Sequence, residues 1–549
     1  MWIPTILAGV LLVFGYALYR DRKNKHKVFE KMGIPGPVPH WWYGNLKQLN
    51  TNAQNSHEIL KQWSQEYGST FGYFEGPTPI LVSSDLDLLK EIFIKNFNKF
   101  HGRKYVPVQP DPAEDKGCSM FMAQGQRWKR LRTITNPTFT AAKLKHSTEL
   151  MNRKSRTLLK KLEAIATKGD KCRILPLLQD LTLDVIGESA FGIEVNAQEI
   201  AGNPSLSMLK RNREQNTLRK SFYATLPELR FTIYHCLAFF AKFVSVPRFQ
   251  ILESMGKVLE MRKIQPQRNP PDLMQLMVDA EATNHHGSLE IFADDDDDDD
   301  DDDYAKASPD ESIDIQISEA DRERHARTRK KKLTADEIKS QGFLFLLAGY
   351  ETTSNTLACC SHALANNPDK QQLLYEEVNS IIQDDEELTY EKVKALPYLD
   401  MVLRETLRMY PIGSQVVTRR CVETCTINDL VVPRDMAIHA NVWDVHYNAN
   451  IWGATDPKIF EPERFLPDRK ARRHPLAWLP FGAGPRNCIG LRFALLEAQI
   501  VLAKLIKKFR IVSCDQTKEP LEMTGGGGLL GPKDEVIVKL QLRSCEAET

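Results

Sequence analysis

The sequence predicts a mainly α protein with a small β-rich part, preceded by an N-terminal membrane-spanning helix. Three observations lead there. Met1 to Tyr19 contains no charged residue and is followed at once by Arg20, Arg22, Lys23, Lys25 and Lys27. From Ser56 onward most segments carry apolar residues at helical spacing. Only short runs near Tyr73 to Val82 and Cys425 to Ile438 read as strands.

Residues 1–19 are long enough to span a thin bilayer such as that of the endoplasmic reticulum, at roughly 28 Å of helix. Positive charge follows the apolar stretch, and no small-residue cleavage site precedes Arg20. That order marks a signal anchor with a cytosolic body, not a cleaved signal peptide. Residues 20–39 form a basic and proline-rich linker, in which Pro35, Pro37 and Pro39 make a stiff extended spacer. Residues 40–549 then form one large domain. Within it, Asp294 to Asp303 is an unbroken aspartate run and Arg322 to Lys332 is strongly basic. Such blocks build no core, so 283–332 is expected to be a disordered insertion. Leu226 to Val246 is apolar but interrupted by Pro227, Glu228, Arg230 and Lys242, which argues against a second span.

Composition narrows the function. With 73 basic and 72 acidic residues the net charge is +1, and nothing calls for nucleic acid. Ten cysteines without repeated Cys-x-x-Cys pairing suit a reducing compartment. No Gly-x-Gly-x-x-Gly follows a strand, so a nucleotide-binding domain is not supported and nicotinamide-derived electrons have to arrive through another protein.

The most informative stretch is Phe481-Gly482-Ala483-Gly484-Pro485-Arg486-Asn487-Cys488-Ile489-Gly490. It places one cysteine in a glycine-rich loop that opens into a helix, marked by Leu491, Leu495, Ala498, Leu502 and Leu505. The helix end is expected to favour a thiolate suited to a soft metal or haem iron, with Arg486 placed for a carboxylate or propionate. Phe, three glycines, Arg and Cys at this spacing resemble the haem-binding loop of the microsomal cytochrome P-450 family. Motif order is most similar to the 3A subfamily and the thromboxane synthase group. The aspartate run and Gln415-Val416-Val417 depart from those relatives.

Other constellations join this one. Thr334 and Glu337 form a capping box before a long apolar helix containing Ala348-Gly349-Tyr350-Glu351-Thr352-Thr353. Gly349 costs helix stability, so a reason for it is expected. The Thr352 hydroxyl can bond back to the Ala348 carbonyl and open a gap for dioxygen and water. Glu405 and Arg408 are neighbours on one helix face, with Arg464 in a later Pro-Glu-Arg-Phe. Trp128 and Arg132 share a helix face.

The resemblance implies a cytochrome P-450 fold binding one haem b, with Cys488 as the axial iron ligand. It implies Thr352 and Glu351 as the proton-delivering pair, and Ala348, Phe481 and Gly490 beside the haem. Trp128, Arg132, Arg486, Arg419 and Arg103 would meet the haem propionates. Glu405, Arg408 and Arg464 would be structural. Ile412 to Val417, the loop around Phe121 and the Thr524 to Leu530 turn would face substrate, and the four glycines Gly525 to Gly528 imply a flexible tip. Lys129, Arg130, Lys143 and Lys145, with Arg469, Lys470, Arg472 and Arg473, would dock an acidic NADPH-cytochrome reductase, with cytochrome b5 as a further donor. The 226–246 segment would either pack in the core or touch membrane lipid. The implied activity is monooxygenation of a lipophilic small molecule (steroid, fatty acid or xenobiotic). A haem-thiolate isomerase or dehydratase of a lipid peroxide, and a non-catalytic haem-bound lipid carrier or sensor, are the alternatives.

Overall fold

The chain folds around a 32-residue helix, Ala335–Asn366, against which most of the other long helices pack. In the computed structural model the described residues are 2–50, 56–105, 112–200, 202–212, 225, 236, 239, 246–266, 271–282, 332–383, 387–453, 455–526 and 528–543. The expected insertion at 283–332 lies outside them except for Lys332, and the 226–246 segment lies outside them except for Cys236, Phe239 and Val246. The principal helices are α1 (Trp2–Lys25), α2 (Gly125–Thr135), α3 (Ala141–Lys168), α4 (Ile174–Phe191), α5 (Pro247–Ile264), α6 (Leu273–Ala282), α7 (Ala335–Asn366), α8 (Pro368–Ile381), α9 (Pro397–Met409) and α10 (Leu491–Lys508).

The start of α7 is fixed by its capping box. Thr334 Oγ1 accepts from the Glu337 N–H at 3.2 Å, and Glu337 Oε2 accepts from the Thr334 N–H at 3.1 Å. The other carboxylate oxygen of Glu337 takes Arg127 Nε at 2.9 Å and Arg130 at 2.6 Å, which ties α2 to the cap. Further along, Leu357, Ala358, Cys359, Cys360, Ala363 and Leu364 are buried in one core with α3, α4, α8, α9 and α10. Gly349 has its reason in packing: a Cβ there would lie 2.7 Å from Ile186 Cδ1, so the missing side chain lets α4 close on α7. The Thr182 hydroxyl of α4 donates to the Tyr350 carbonyl at 2.8 Å at the same crossing.

The β part is small. Strands β1 (Thr70–Glu75), β2 (Thr78–Ser83), β4 (Thr418–Arg420) and β7 (Ala437–Ala440) form one sheet in the order β1-β2-β7-β4. Only the β2–β7 pair in it is parallel, with Ile80 opposite Ala437. A second sheet orders β3 (Lys171–Arg173), β11 (Ile537–Leu542) and β8 (Phe509–Val512). Hairpins join β5 (Cys425–Ile427) to β6 (Leu430–Val432), and β9 (Met523–Gly526) to β10 (Leu529–Pro532). Gly525 and Gly526, expected in a flexible tip, are thus paired strand residues.

Among the described residues no helix is long and apolar enough to cross a membrane, so the fold by itself does not establish the anchor expected over Met1 to Tyr19. The far end of α1 is docked on the body. Arg22 is fully buried and donates to the carbonyls of Trp42 and Thr225, each at 2.6 Å.

Glu405 and Arg408 of α9 meet Arg464 in a buried knot. Arg408 grips Glu405 bidentately at 2.7 and 2.8 Å, and donates to the carbonyls of His446 and Pro457. Arg464 lies 3.4 Å from the same carboxylate and donates to the carbonyls of Trp452, Thr455 and Asp456. His446 carries the knot onward. Its Nε2 accepts the Leu479 N–H at 2.9 Å, so Nδ1 bears the proton and donates to the Arg408 carbonyl at 2.9 Å. Burial first, and the Arg408 charge second, pull the imidazole down to about 3.

Two outcomes follow from this knot. Arg464→Ala leaves Glu405 short of one buried partner and should lower stability by about 3–5 kcal/mol, read from the urea midpoint. For His446 the folded state stays neutral where an unfolded imidazole protonates below about 6.5. Its contribution is therefore present above 6.5 and lost as the pH falls toward 3, at up to about 1.4 kcal/mol per pH unit. The stability difference between wild type and His446→Gln should shrink over that window; a pH-independent difference would refute the assignment.

Candidate active site

The cysteine loop is shaped by two glycines in left-handed conformation. Gly482 has φ +73°, and Gly484 has φ +68°. At Gly484 a Cβ would stand 2.0 Å from the Phe93 carbonyl oxygen, so no side chain fits. The loop then turns through Gly484–Arg486, and the Cys488 N–H reaches back to the Phe481 carbonyl at 2.9 Å. Gly490 is the N-cap of α10, which puts Cys488 two residues ahead of the cap and not in the first turn. This alters the expected electrostatics. Burial is the largest influence on the Cys488 thiol and pushes it up, against the Gly490 N–H and the charges of Arg132 and Arg103. A metal ion bound at this sulfur would take its proton, because a coordinating thiol is deprotonated by the metal.

Cys488 opens onto a cavity of about 450 Å³ between this loop, α2 and α7. Arg103, Trp128, Arg132, Arg419, Phe481, Arg486 and Gly490 line it, so these residues expected around the haem share one cavity with Cys488. Arg132 donates to the carbonyl and side-chain oxygens of Asn487 at 2.9 and 3.0 Å. Arg419 donates to the Ala483 carbonyl at 2.7 Å and lies over the Phe93 ring at 4.2 Å. Arg486 donates to the carbonyls of Phe121 and Ala123 and lies over Trp128 at 4.8 Å. Arg103 donates to the carbonyls of Val416 and Arg486 and lies over Phe121 at 4.4 Å.

No carboxylate answers these four arginines among the described residues, and Nε of Arg103, Arg419 and Arg486 is buried without an acceptor. Burial, and then their mutual repulsion, hold Arg486 and Arg419 well below the usual arginine range, and Arg103 is lowered to about 10. The wall is thus a site for an anion with more than one charge. A flat apolar dianion carrying a thiophilic metal fits the donor set, and haem b with its two propionates is such a group.

The opposite wall belongs to α7. Ala348, Gly349, Thr352 and Thr353 line the cavity. The Thr352 hydroxyl donates to the Ala348 carbonyl at 2.7 Å, and the Thr356 hydroxyl to the Thr352 carbonyl at 2.9 Å. Glu351 is buried and does not line the cavity. Of the expected substrate-facing segments, Phe121, Ile412, Gly413, Val416, Val417 and Leu529 reach the cavity; Gln415 instead donates to Ser56 Oγ at 2.7 Å. Several of the expected docking cations are occupied within the fold. Arg130 holds Glu337, Lys145 pairs with Glu391, and Arg473 lies over Trp452 at 4.1 Å. Sequence reasoning missed Asn487, which orients Arg132, and His446, which pins Leu479 ahead of the loop; neither has a spacing signal.

Comparison with known proteins agrees with this geometry. The family described as Cytochrome P450 matches residues 34–540. A Caenorhabditis elegans relative named CYP13A2 is 32% identical over 93% of this chain and 94% of its own length. Cytochrome P450 3A27 of Oncorhynchus mykiss is 29% identical over 98% of this chain and 93% of its own, and cytochrome P450 3A29 of Sus scrofa 28% over 98% and 96%. The chain belongs to the cytochrome P450 family of haem b-binding monooxygenases, in which NADPH electrons arrive through a reductase.

Proposed function

We propose that this chain inserts one atom of dioxygen into a lipophilic small molecule (steroid, fatty acid or xenobiotic), using NADPH electrons delivered by a reductase. One observation carries the reading: Cys488 and the Thr352 hydroxyl line the same largely apolar cavity. Haem b, when bound, supplies the dioxygen chemistry, and a thiolate ligand favours O–O cleavage. Cys488 is the residue that would hold the iron, while Arg103, Arg132, Arg419, Arg486 and Trp128 would hold the propionates. Thr352 keeps a proton on Oγ, lodged on the Ala348 carbonyl, and a rotation about χ1 turns it toward the cavity. Glu351 is the acid that resupplies it, from behind the wall. Phe121, Phe343, Leu344, Leu347 and Ile412 take the apolar substrate and exclude water.

The same proposal anchors α1 in the endoplasmic-reticulum membrane with the body in the cytosol. The exposure of Ile6, Leu12, Val13, Phe14 and Tyr16 on α1, followed by Arg20 and Lys23, supports it. Lys129 and Arg472, both exposed, are the cations best placed to meet an acidic reductase or cytochrome b5.

Cys488→Ala should abolish the red-shifted carbon monoxide band of the reduced thiolate-bound haem, and retention of that band would sink the ligand assignment. Thr352→Val should bind substrate normally yet form at least roughly tenfold less product per NADPH consumed. Undiminished coupling would remove Thr352 from proton delivery. Turnover of a lipid peroxide without NADPH or reductase, and no oxidation with them, would instead favour an isomerase or dehydratase.

A further inference from the structure

The cavity holds one more cation, which the propionate wall does not account for. Arg248 is the second residue of α5 and lines the cavity with Ser340, Phe343 and Leu344 of α7. Its guanidinium carbon lies 5.6 Å from the centre of the Phe343 ring, and its Nε is buried without an acceptor. It makes no ion pair among the described residues. Asp115 lines the same cavity, but it forms no ion pair with Arg248 and its Oδ1 takes the Gly117 N–H at 2.9 Å. Arg248 is half-buried, and the hydration lost at its Nε is only partly restored by one ring face. Phe343 precedes Thr352 by nine residues of one helix, about 14 Å along its axis. Arg248 therefore stands at the end of the cavity away from Thr352.

We propose that Arg248 recognises an anionic head group, and that the substrates of this site are amphiphilic monocarboxylates. The carboxylate pairs with the guanidinium, bidentately where geometry allows, and the apolar chain runs along α7 toward Thr352 and Cys488. This inference rests on the monooxygenase reading above. Holding the head at Arg248 sends the opposite end of the molecule to the reacting centre. One C–H bond near that end becomes C–OH, the second oxygen atom leaves as water, and NADPH with one solvent proton supplies the two electrons and two protons.

The test uses the full-length holoenzyme reconstituted with reductase in phospholipid vesicles, with dodecanoate and methyl dodecanoate as probes. Binding is read from the substrate-induced shift of the haem Soret band, and products by mass spectrometry. Wild type should bind the acid roughly tenfold or more tightly than the ester and hydroxylate it near the methyl end. Arg248→Gln should lose that preference and scatter the hydroxylation, with ester affinity changed by no more than about twofold, while Arg248→Lys should keep part of the preference. The carbon monoxide band of each variant reports an intact haem site. Equal affinity of wild type for acid and ester, or a preference that survives in Arg248→Gln, overturns the inference. If neither probe is bound or oxidised but a neutral lipophile is, the inference again fails alone. If nothing is oxidised with NADPH and reductase, the monooxygenase reading fails with it.

Discussion

Arg103, Arg132, Arg419 and Arg486 converge on one buried wall with no carboxylate among them, and the surrounding structure has to hold that unbalanced charge in place. It does so with carbonyl oxygens and ring faces. Three of the acceptors, Ala483, Arg486 and Asn487, belong to the cysteine loop itself. The loop conformation and the arginine cluster are therefore mutually dependent. Gly484 is pressed against the Phe93 carbonyl, and the Phe93 ring carries the guanidinium of Arg419. A change at any member of this circuit moves the cysteine. An anion bound at the wall relieves the repulsion, so cofactor binding and loop order reinforce each other.

A second charged cluster differs in kind. Glu405, Arg408 and Arg464 are as deeply buried, yet each charge has a partner of opposite sign and the terminal nitrogens of Arg464 meet carbonyls. That charge pairing suits a structural role, because a buried network whose charges are paired fixes one arrangement while an unpaired buried charge is costly. His446 joins the two clusters by holding Leu479, the residue before Pro480 and Phe481. The cysteine loop thus hangs between a paired knot that sets its position and an unpaired cluster that awaits a ligand.

Much of this was legible in the sequence where local chemistry dictates structure. The Thr334–Glu337 box, the Glu405–Arg408 pair and the glycines around Cys488 each act over a few residues, and the fold places them as their spacing predicts. What was not legible depends on distant partners. Gly349 is explained by Ile186, which lies far away in the chain. The place of Cys488 ahead of the α10 cap, and the desolvation that pushes its thiol up, are properties of the loop conformation and the whole fold that its spacing does not carry. Gly525 and Gly526 pair with Leu530 and Leu529 in a hairpin because the neighbouring backbone supplies partners that composition cannot reveal. Arg248 gave no signal, since a lone arginine after a proline is ordinary until a cavity is seen in front of it.

Helix α7 joins these parts through one continuous backbone. Its cap is clamped by Arg127 and Arg130, and its middle is locked against α4 by the Ile186–Gly349 contact and the Thr182 bond to Tyr350. A helix held at both places can neither rotate nor slide without breaking buried contacts. The hydroxyl of Thr352 and the ring of Phe343 are then fixed relative to each other. The distance between the polar end of the cavity and the cysteine end becomes a property of helix geometry, not of flexible loops. That constraint turns a roomy apolar cavity into a measuring device: the length of a guest anchored at one end decides which of its atoms meets the other.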